Sequence, residues 1–558
     1  MKKRAILVLL TLIIVLIFSG CFSPWTGDGT LTISLAGSAR YLGDPTNELD
    51  VMEHEITLEG PSGVYVYTFE PGTASAVFNL IPGAWNVKVR AIGNRTAGYQ
   101  EMTFPQPRML RAIGFQSANI KPGKNTDLSV TMKRATEISN VSQLNFAYYN
   151  RGIIPEIWVI TNDIDIPGGT NYDLNSSDNI TILASGDVSL NLNIPDNYTP
   201  LFSVSTGGSL TLGRKGMKDS LTINGEFRSS PIFQISNDSV LTMNTGITLA
   251  NNTGSPQGGA VYVYGANSQF IMNGGTIRDN SAVNGGGVFV GMDGTFLMNG
   301  GEIYDNQSTG NSTYDGGSGV YVTANGYFCM SGGSIHSNTH ESISAGGGGV
   351  FNQGDFIMEG GNITGNRTRG VTNLGTFEMN AGKITYNSSN LDGGGIYNES
   401  YFSMQGGEIS GNTSQRGGGI LSYATCDIYG GTIANNEALD CGGGIYVLSG
   451  GALLIDGGEI KANRVTSTTG TGGGIYCDGN TLFAKKGGTI YGTNAGTNAN
   501  RTANKDLRGQ AIYYSLYSIP YEYYYRDITA GPSVLLYAFD IATTNNEDIP
   551  ETIGEWNK

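Results

Sequence analysis

Residues 272–280 read MNGGTIRDN, and the phrase returns as MNGGEIYDN at 298–306, MSGGSIHSN at 330–338 and MEGGNITGN at 358–366. It continues as MNAGKITYN at 379–387, MQGGEISGN at 404–412, IYGGTIANN at 428–436 and IDGGEIKAN at 455–463. A second phrase, Gly-Gly-x-Val/Ile-aromatic, alternates with it. Its Val/Ile falls at 261, 288, 320, 350, 371, 396, 420, 445, 475 and 512, with spacings from 21 to 37 residues. Each period holds three short apolar segments, Phe-x-Met, x-Ile-x and Val/Ile-x-Val/Asn, parted by Gly or Asn corners. Short strands at such a period, with no helical pattern, predict the coils of a parallel β-helix.

Stacked coils lie about 4.8 Å apart, so equivalent residues form ladders. The inward ladders are Phe270, Phe296, Phe328, Phe356, Phe377 and Phe402; the Met two residues after each; and Ile277, Ile303, Ile335, Ile363, Ile384, Ile409, Ile433 and Ile460. A corner ladder comprises Asn280, Asn306, Asn338, Asn366, Asn387, Asn412, Asn436 and Asn463. Asn tolerates left-handed φ, and its amide can hydrogen-bond along the stack. The overlapping Asn-x-Ser/Thr sequons are read as corner chemistry.

These paired motifs resemble the repeats of chlamydial polymorphic outer-membrane proteins and the right-handed β-helix lipoproteins of spirochaetes. The resemblance covers residues 240–515. It implies surface display, with adhesion or host interaction as the function. No alternating, aromatic-girdled barrel follows the repeats, so anchoring is expected through the other end.

That end reads MKKRAILVLLTLIIVLIFSG before Cys21. Positive charges, an apolar run and small residues make 1–20 a signal peptide. The FSGC junction resembles a bacterial lipobox, which implies cleavage before Cys21 and lipid on its sulfur. Residues 21–27 are then a lipid-anchored linker, and the expected location is the bacterial cell envelope, outer membrane and surface-exposed.

Residues 28–135 carry alternating strands instead of Gly-Gly corners, among them Leu31-Ile33 and Ile56-Leu58. In GAWNVKVRAIG, residues Trp85, Val87, Val89 and Ala91 share one face. A run of short strands with turn signals predicts a β-sandwich. The L-x-P-G-x-[WY]-x-V stretch around Pro82-Gly83 resembles prealbumin-like (Ig-like) or carboxypeptidase-regulatory-like modules, which implies a spacer. Residues 136–239 are expected to hold an N-terminal cap near Leu144, Phe146 and Tyr149, then the first coils. Residues 516–558, with Tyr521, Tyr523, Tyr524 and Tyr525, are expected to form a C-terminal cap.

Composition agrees with an all-β chain. Gly is 84 of 558 residues, about twice the usual share near 7%. Hydrophobic residues at 39% exclude a disordered chain. Net charge is −15, and loss of Lys2, Lys3 and Arg4 with the leader makes it −18, so nucleic acid is excluded as a partner.

Chemistry-bearing clusters are few. No CxxC or Cys/His cluster is present, and His336 and His340 sit in turn sequence, so neither metal nor cofactor is expected. Cys426 takes a Phe slot as a core thiol, Cys329 faces outward, and Cys441 sits in a corner, so no disulfide framework is expected. Asp279 and Asp305 occupy equivalent corners near 5 Å apart. That spacing permits a retaining glycosidase pair, but solvated corner acids are expected. Asp392 and Arg416 share a corner one coil apart and read as a surface ion pair.

The most suggestive feature is an aromatic ladder of Tyr262, Phe289, Tyr321, Phe351, Tyr397, Tyr446, Tyr476 and Tyr513, interrupted by Thr372 and Leu421. Strand alternation places these rings opposite the core-facing Val/Ile. They read either as a binding stripe for glycan or protein or as a self-stacking stripe covered by corner loops. The function expected from the sequence is a lipid-anchored adhesin or glycan-binding protein, not an enzyme. A polysaccharide-active β-helix enzyme is the alternative, favoured by a single non-repeating carboxylate/basic cluster in a groove, and a structural coat protein is the third reading.

Overall fold

A computed structural model describes residues 28–34, 52–93, 109–152, 154–193, 199–216, 218–226, 229–312, 314–341, 346–503, 512–516, 522–526 and 536–537. The leader, Cys21 and Tyr521 lie outside them, as do the side chains of Tyr523, Tyr524 and Tyr525. The chain is nearly all β, with about 3% helix. It divides into two compact units, one within residues 1–159 and one formed by 139–152 with 160–558.

In the first unit two sheets enclose one core. Strand β1 (Gly29–Ser34) lies between β4 (Ser75–Leu80) and β7 (Asn125–Ser129). The second sheet is antiparallel, in the order β3 (Gly63–Phe69), β2 (Glu53–Gly60), β5 (Gly83–Gly93), β6 (Met109–Ile120), β8 (Met132–Ile138). Trp85, Val87, Val89 and Ala91 are buried in the shared core with Leu31, Ile33, Ile56 and Leu58. The indole N–H of Trp85 donates to the Ile81 carbonyl at 3.0 Å, which satisfies its one polar atom. Gly60 is dictated by that ring, since a Cβ there would lie 2.3 Å from it.

A right-handed parallel β-solenoid of about 12 turns runs from about residue 157 to 490, nearly all of it in the second unit. The Phe-x-Met, x-Ile-x and Val/Ile strands pair in register with their counterparts one coil on, as in Phe356↔Phe377, Ile363↔Ile384 and Val350↔Val371. Every residue of the Phe and Met ladders is fully buried, and the Ile ladder is at most 1% exposed. Ring centroids from Phe270 to Phe402 repeat at 4.5–5.1 Å, the strand spacing of a sheet.

Many coils carry a fourth short strand after the corner Asn. Thr253–Gln257, Ser281–Asn284, Gln307–Ser308 and Thr339–His340 form one such sheet, and Thr413–Arg416, Glu437–Cys441 and Arg464–Val465 another. Between them, Arg367 and Ser388 keep only isolated bridges. The gap coincides with the shortest coil, where Val350 and Val371 are 21 residues apart.

The corner Asn ladder is internal, with each member at most 1% exposed. The Oδ1 of Asn387 accepts both the backbone N–H and the Nδ2 of Asn366 at 3.0 Å, while the Nδ2 of Asn387 reaches the Ile363 carbonyl at 2.9 Å. The pattern extends to Asn252 and Asn500, which lie outside the repeated phrase. One expectation is corrected: the Asn residues are not left-handed. The residue before each of the eight motif Asn is, including Asp279 (φ 56°), Asp305 (φ 52°), Tyr386 (φ 55°) and Gly411 (φ 65°), whereas Ala499 before Asn500 is extended (φ −63°). The Asn amide is retained for its hydrogen bonds, which need the side chain turned inward.

A second internal amide ladder joins Asn352, Asn373, Asn398 and Ser422 at 2.8–2.9 Å. It occurs where the turn to the next Phe slot is short, six residues from Val350 to Phe356 against eight from Val288 to Phe296. Asn352 bonds both the N–H and the C=O of Gly354 within that turn, each at 3.2 Å, and so replaces the missing backbone partners.

At the start of this unit, helix α1 (Val141–Tyr149) is capped by Asn140, whose side chain accepts from the Gln143 N–H at 3.0 Å. Leu144 and Ala147 are buried, and the Tyr148 ring meets Tyr172 of the first coil edge-on at 5.2 Å. At the far end, Ile512–Leu516 joins the Val/Ile sheet in parallel and then pairs antiparallel with Glu522–Arg526. That reversal ends the parallel stack.

Candidate functional site

The aromatic ladder is not a uniform exposed stripe. Phe289, Tyr321, Phe351 and Tyr446 are buried, at most 6% exposed, whereas Tyr262, Tyr397, Tyr476 and Tyr513 are half-buried. The rings do leave the solenoid core, because Phe289, Tyr321 and Phe351 form a cluster of their own. They are covered by the glycine corners of adjacent coils. A Cβ on Gly316 would lie 3.3 Å from the Phe351 ring, and one on Gly258 3.2 Å from the Phe289 Cβ. Phe289, Tyr321 and Phe351 stack face to face at 4.9–5.1 Å. The Tyr321 hydroxyl donates to the Tyr314 carbonyl at 3.1 Å, and burial with nearby Asp315 pushes its pKa up to about 12.

The two interruptions are filled by arginines. Thr372 breaks the stack, and Arg369 of the same coil lays its guanidinium 3.8 Å from the centre of the Tyr397 ring in the next coil. Leu421 breaks it again, and Arg416 stands 5.3 Å over the Tyr446 ring. Each guanidinium occupies the place of the absent ring, as its planar, weakly hydrated face allows.

The two arginines differ in what compensates their charge. Arg416 makes a fork to Asp392, Nε to Oδ1 at 3.0 Å and Nη2 to Oδ2 at 2.6 Å, and this pairing raises its pKa. The ion pair expected from the sequence is thus formed. Arg369 is 8% exposed, and its Nε donates to the Asp392 backbone carbonyl at 2.9 Å. Burial lowers its pKa. Around it, the Tyr397 hydroxyl donates to Glu399 at 2.8 Å, and the Tyr423 ring, 40% exposed, meets Tyr397 edge-on at 5.5 Å.

Arg369, Glu399 and Tyr423 were not singled out in the sequence. The signal available was the short coil itself, in which NRTRGV replaces the Gly-Gly corner. At the equivalent slot the other coils carry Gly348, Gly394 and Gly418, where a Cβ would lie 1.9–2.5 Å from a neighbouring carbonyl oxygen. The short coil departs from that path, with Thr368 at φ 76° and Arg369 at φ 113°.

The remaining candidates do not assemble. Asp279 is engaged by its neighbour Arg278, and Asp305 is exposed beside the Asn ladder. His336 stacks on Tyr304 at 4.9 Å, whereas His340 is buried in a fourth-strand position. The described cysteines are all free, with Cys426 and Cys477 buried and Cys329 and Cys441 half-buried. Among the described residues no group of three or more metal-ligating side chains comes together.

Among the described residues, Arg369, Asp392, Tyr397, Glu399, Arg416 and Tyr423 thus bring cationic, acidic and half-exposed aromatic groups together at the break in the repeat. Comparison with protein-family models, curated proteins and solved structures gives no match to this chain.

Proposed function

We propose that this protein is a lipid-anchored adhesin of a bacterial cell surface, binding a glycan or host-protein ligand on the flank of its solenoid. The observation that carries the reading is the Tyr397–Tyr423 pair, where a half-buried ring of the stripe and an exposed neighbouring ring present aromatic faces beside hydrogen-bonding groups. Such faces suit sugar rings and protein side chains alike. The charged leader and FSGC junction support export and anchoring, and the rigid repeat supports display away from a membrane.

The cluster is non-repeating, which favours the polysaccharide-active alternative as a second reading. Against it, both oxygens of Asp392 are held by Arg416, which leaves Glu399, itself accepting from Tyr397, without a second free carboxylate in this cluster to complete an acid/base pair.

The test is a screen of the full chain carrying Cys21→Ser on glycan and host-matrix arrays, with Tyr397→Ala/Tyr423→Ala beside it. Retention on a defined ligand, lost in the double variant, supports the binding reading. New chain ends in the bound glycan establish the enzyme instead. Retention of no ligand by the parent chain overturns both.

A further inference from the structure

Arg369 is a buried cation that the protein leaves half-satisfied. Its Nε has the Asp392 carbonyl and its face has Tyr397, but neither Nη has a hydrogen-bond partner among the described residues, and no carboxylate lies within ion-pair distance. Neither Nη is sealed from solvent. Burial of a charge without a partner is costly. Asp392 and Glu399 favour the charge from a distance but form no ion pair with it, and both oxygens of Asp392 are engaged by Arg416. Backbone strain adds to the cost, since a φ of 113° is rare for a residue with a side chain. Gly, present at the same slot in neighbouring coils, avoids both costs.

We propose that Arg369, Tyr397 and Tyr423 form a subsite for a carboxylate-bearing sugar unit, a uronic acid, within an otherwise neutral glycan. This rests on the binding reading above and names its ligand class. The free edge of a guanidinium matches a carboxylate in a two-bond fork. The half-exposed Tyr423 ring offers a platform for the apolar face of the pyranose. Glu399, at the end of the Tyr397 hydroxyl bond, accepts from a sugar hydroxyl with its remaining lone pairs. A run of consecutive anions is disfavoured: Asp392 and Glu399 flank the arginine, and the chain carries −15 overall. One carboxylate accompanied by hydroxyl donors meets both the cation and its acidic neighbours.

The probe is a defined oligosaccharide alternating glucuronic acid with a neutral sugar, and its carboxyl-reduced neutral twin. Each is titrated calorimetrically into the full chain carrying Cys21→Ser. Binding of the acidic form is expected to exceed that of the twin by at least about tenfold, the worth of one charge-assisted hydrogen bond. Arg369→Gly restores the residue of neighbouring coils, so it is expected to abolish that preference while thermal unfolding stays close to the parent. Arg369→Lys keeps the charge, loses the fork and is expected to fall between. Equal binding of the two sugars, or a preference that survives in Arg369→Gly, overturns the subsite and leaves the wider binding reading intact. Absence of binding to either sugar also overturns it, and ligand retention on the arrays then decides the wider reading separately.

Discussion

The rings of Phe356 and Phe377 lie face to face, 4.5 Å apart and within 4° of parallel, one coil from each other along the axis. Both are completely buried. Phe356 also stacks on Phe328 at 4.7 Å on its other side, so its removal opens a void between two rigid neighbours. Phe356→Ala is expected to cost on the order of 3–5 kcal/mol. In a repeat array each coil contacts only its neighbours, so the loss is read as faster hydrogen exchange in the coils around residue 356. Unchanged protection there contradicts the packing.

Phe351 tests the covered part of the stripe. Although its side chain points away from the main core, it is fully buried against Tyr321 and the corner at Gly316. Phe351→Ala is expected to lower the melting transition by an amount comparable to Phe356→Ala. Tyr423→Ala, at a ring 40% exposed, is expected to shift it little. A neutral Phe351→Ala would mean that the stripe is open to solvent.

Asn387 holds two donors of the preceding coil through one oxygen. Asn387→Ala strands the backbone N–H and the amide of Asn366 in the interior, at about 1–3 kcal/mol for each unsatisfied group. Denaturant unfolding measures the loss. A change below about 0.5 kcal/mol, the range of ordinary surface substitutions, would remove the ladder from the account of stability.

Tyr321 gives the protein an alkaline limit. Its hydroxyl has a pKa of about 12 in the folded chain against 10.0 unperturbed. Above pH 10 the unfolded chain loses this proton while the folded chain keeps it, so stability falls as pH rises from about 10 to about 12. Below that window the residue has no effect on the slope. Tyr321→Phe is expected to flatten the decline in melting temperature across it, and an unchanged slope assigns the decline to other groups.

Cys21 tests the anchoring. The chain expressed with its leader is expected to incorporate labelled fatty acid. Cys21→Ser is expected to lose the label and release the protein from the membrane fraction. Equal labelling of both chains would end the lipoprotein reading.

What the sequence determined by itself was the stack. Phe356-x-Met358 and Ile363 recur at near-constant internal spacing, and only a coil that superimposes equivalent residues buries all of them at once. The Asn ladder was legible for the same reason, because a buried amide at every corner satisfies its neighbour. The tertiary structure decided what lies outside that stack. Alternation states that Phe351 and Tyr397 point away from the Val/Ile core but carries no information on whether a neighbouring corner covers them. Coverage depends on how far adjacent coils reach, and one is open and another closed because the coil ending at Val371 is short. The left-handed residue before each motif Asn was likewise hidden, since Asp, Ser, Tyr, Ala, Asn and Gly all serve there and share no pattern. Arg369 was hidden most completely. Its sequence neighbours mark an irregular corner, but the ring it stacks on and the carbonyl it binds belong to the next coil, brought within reach only when the chain has wound a full turn.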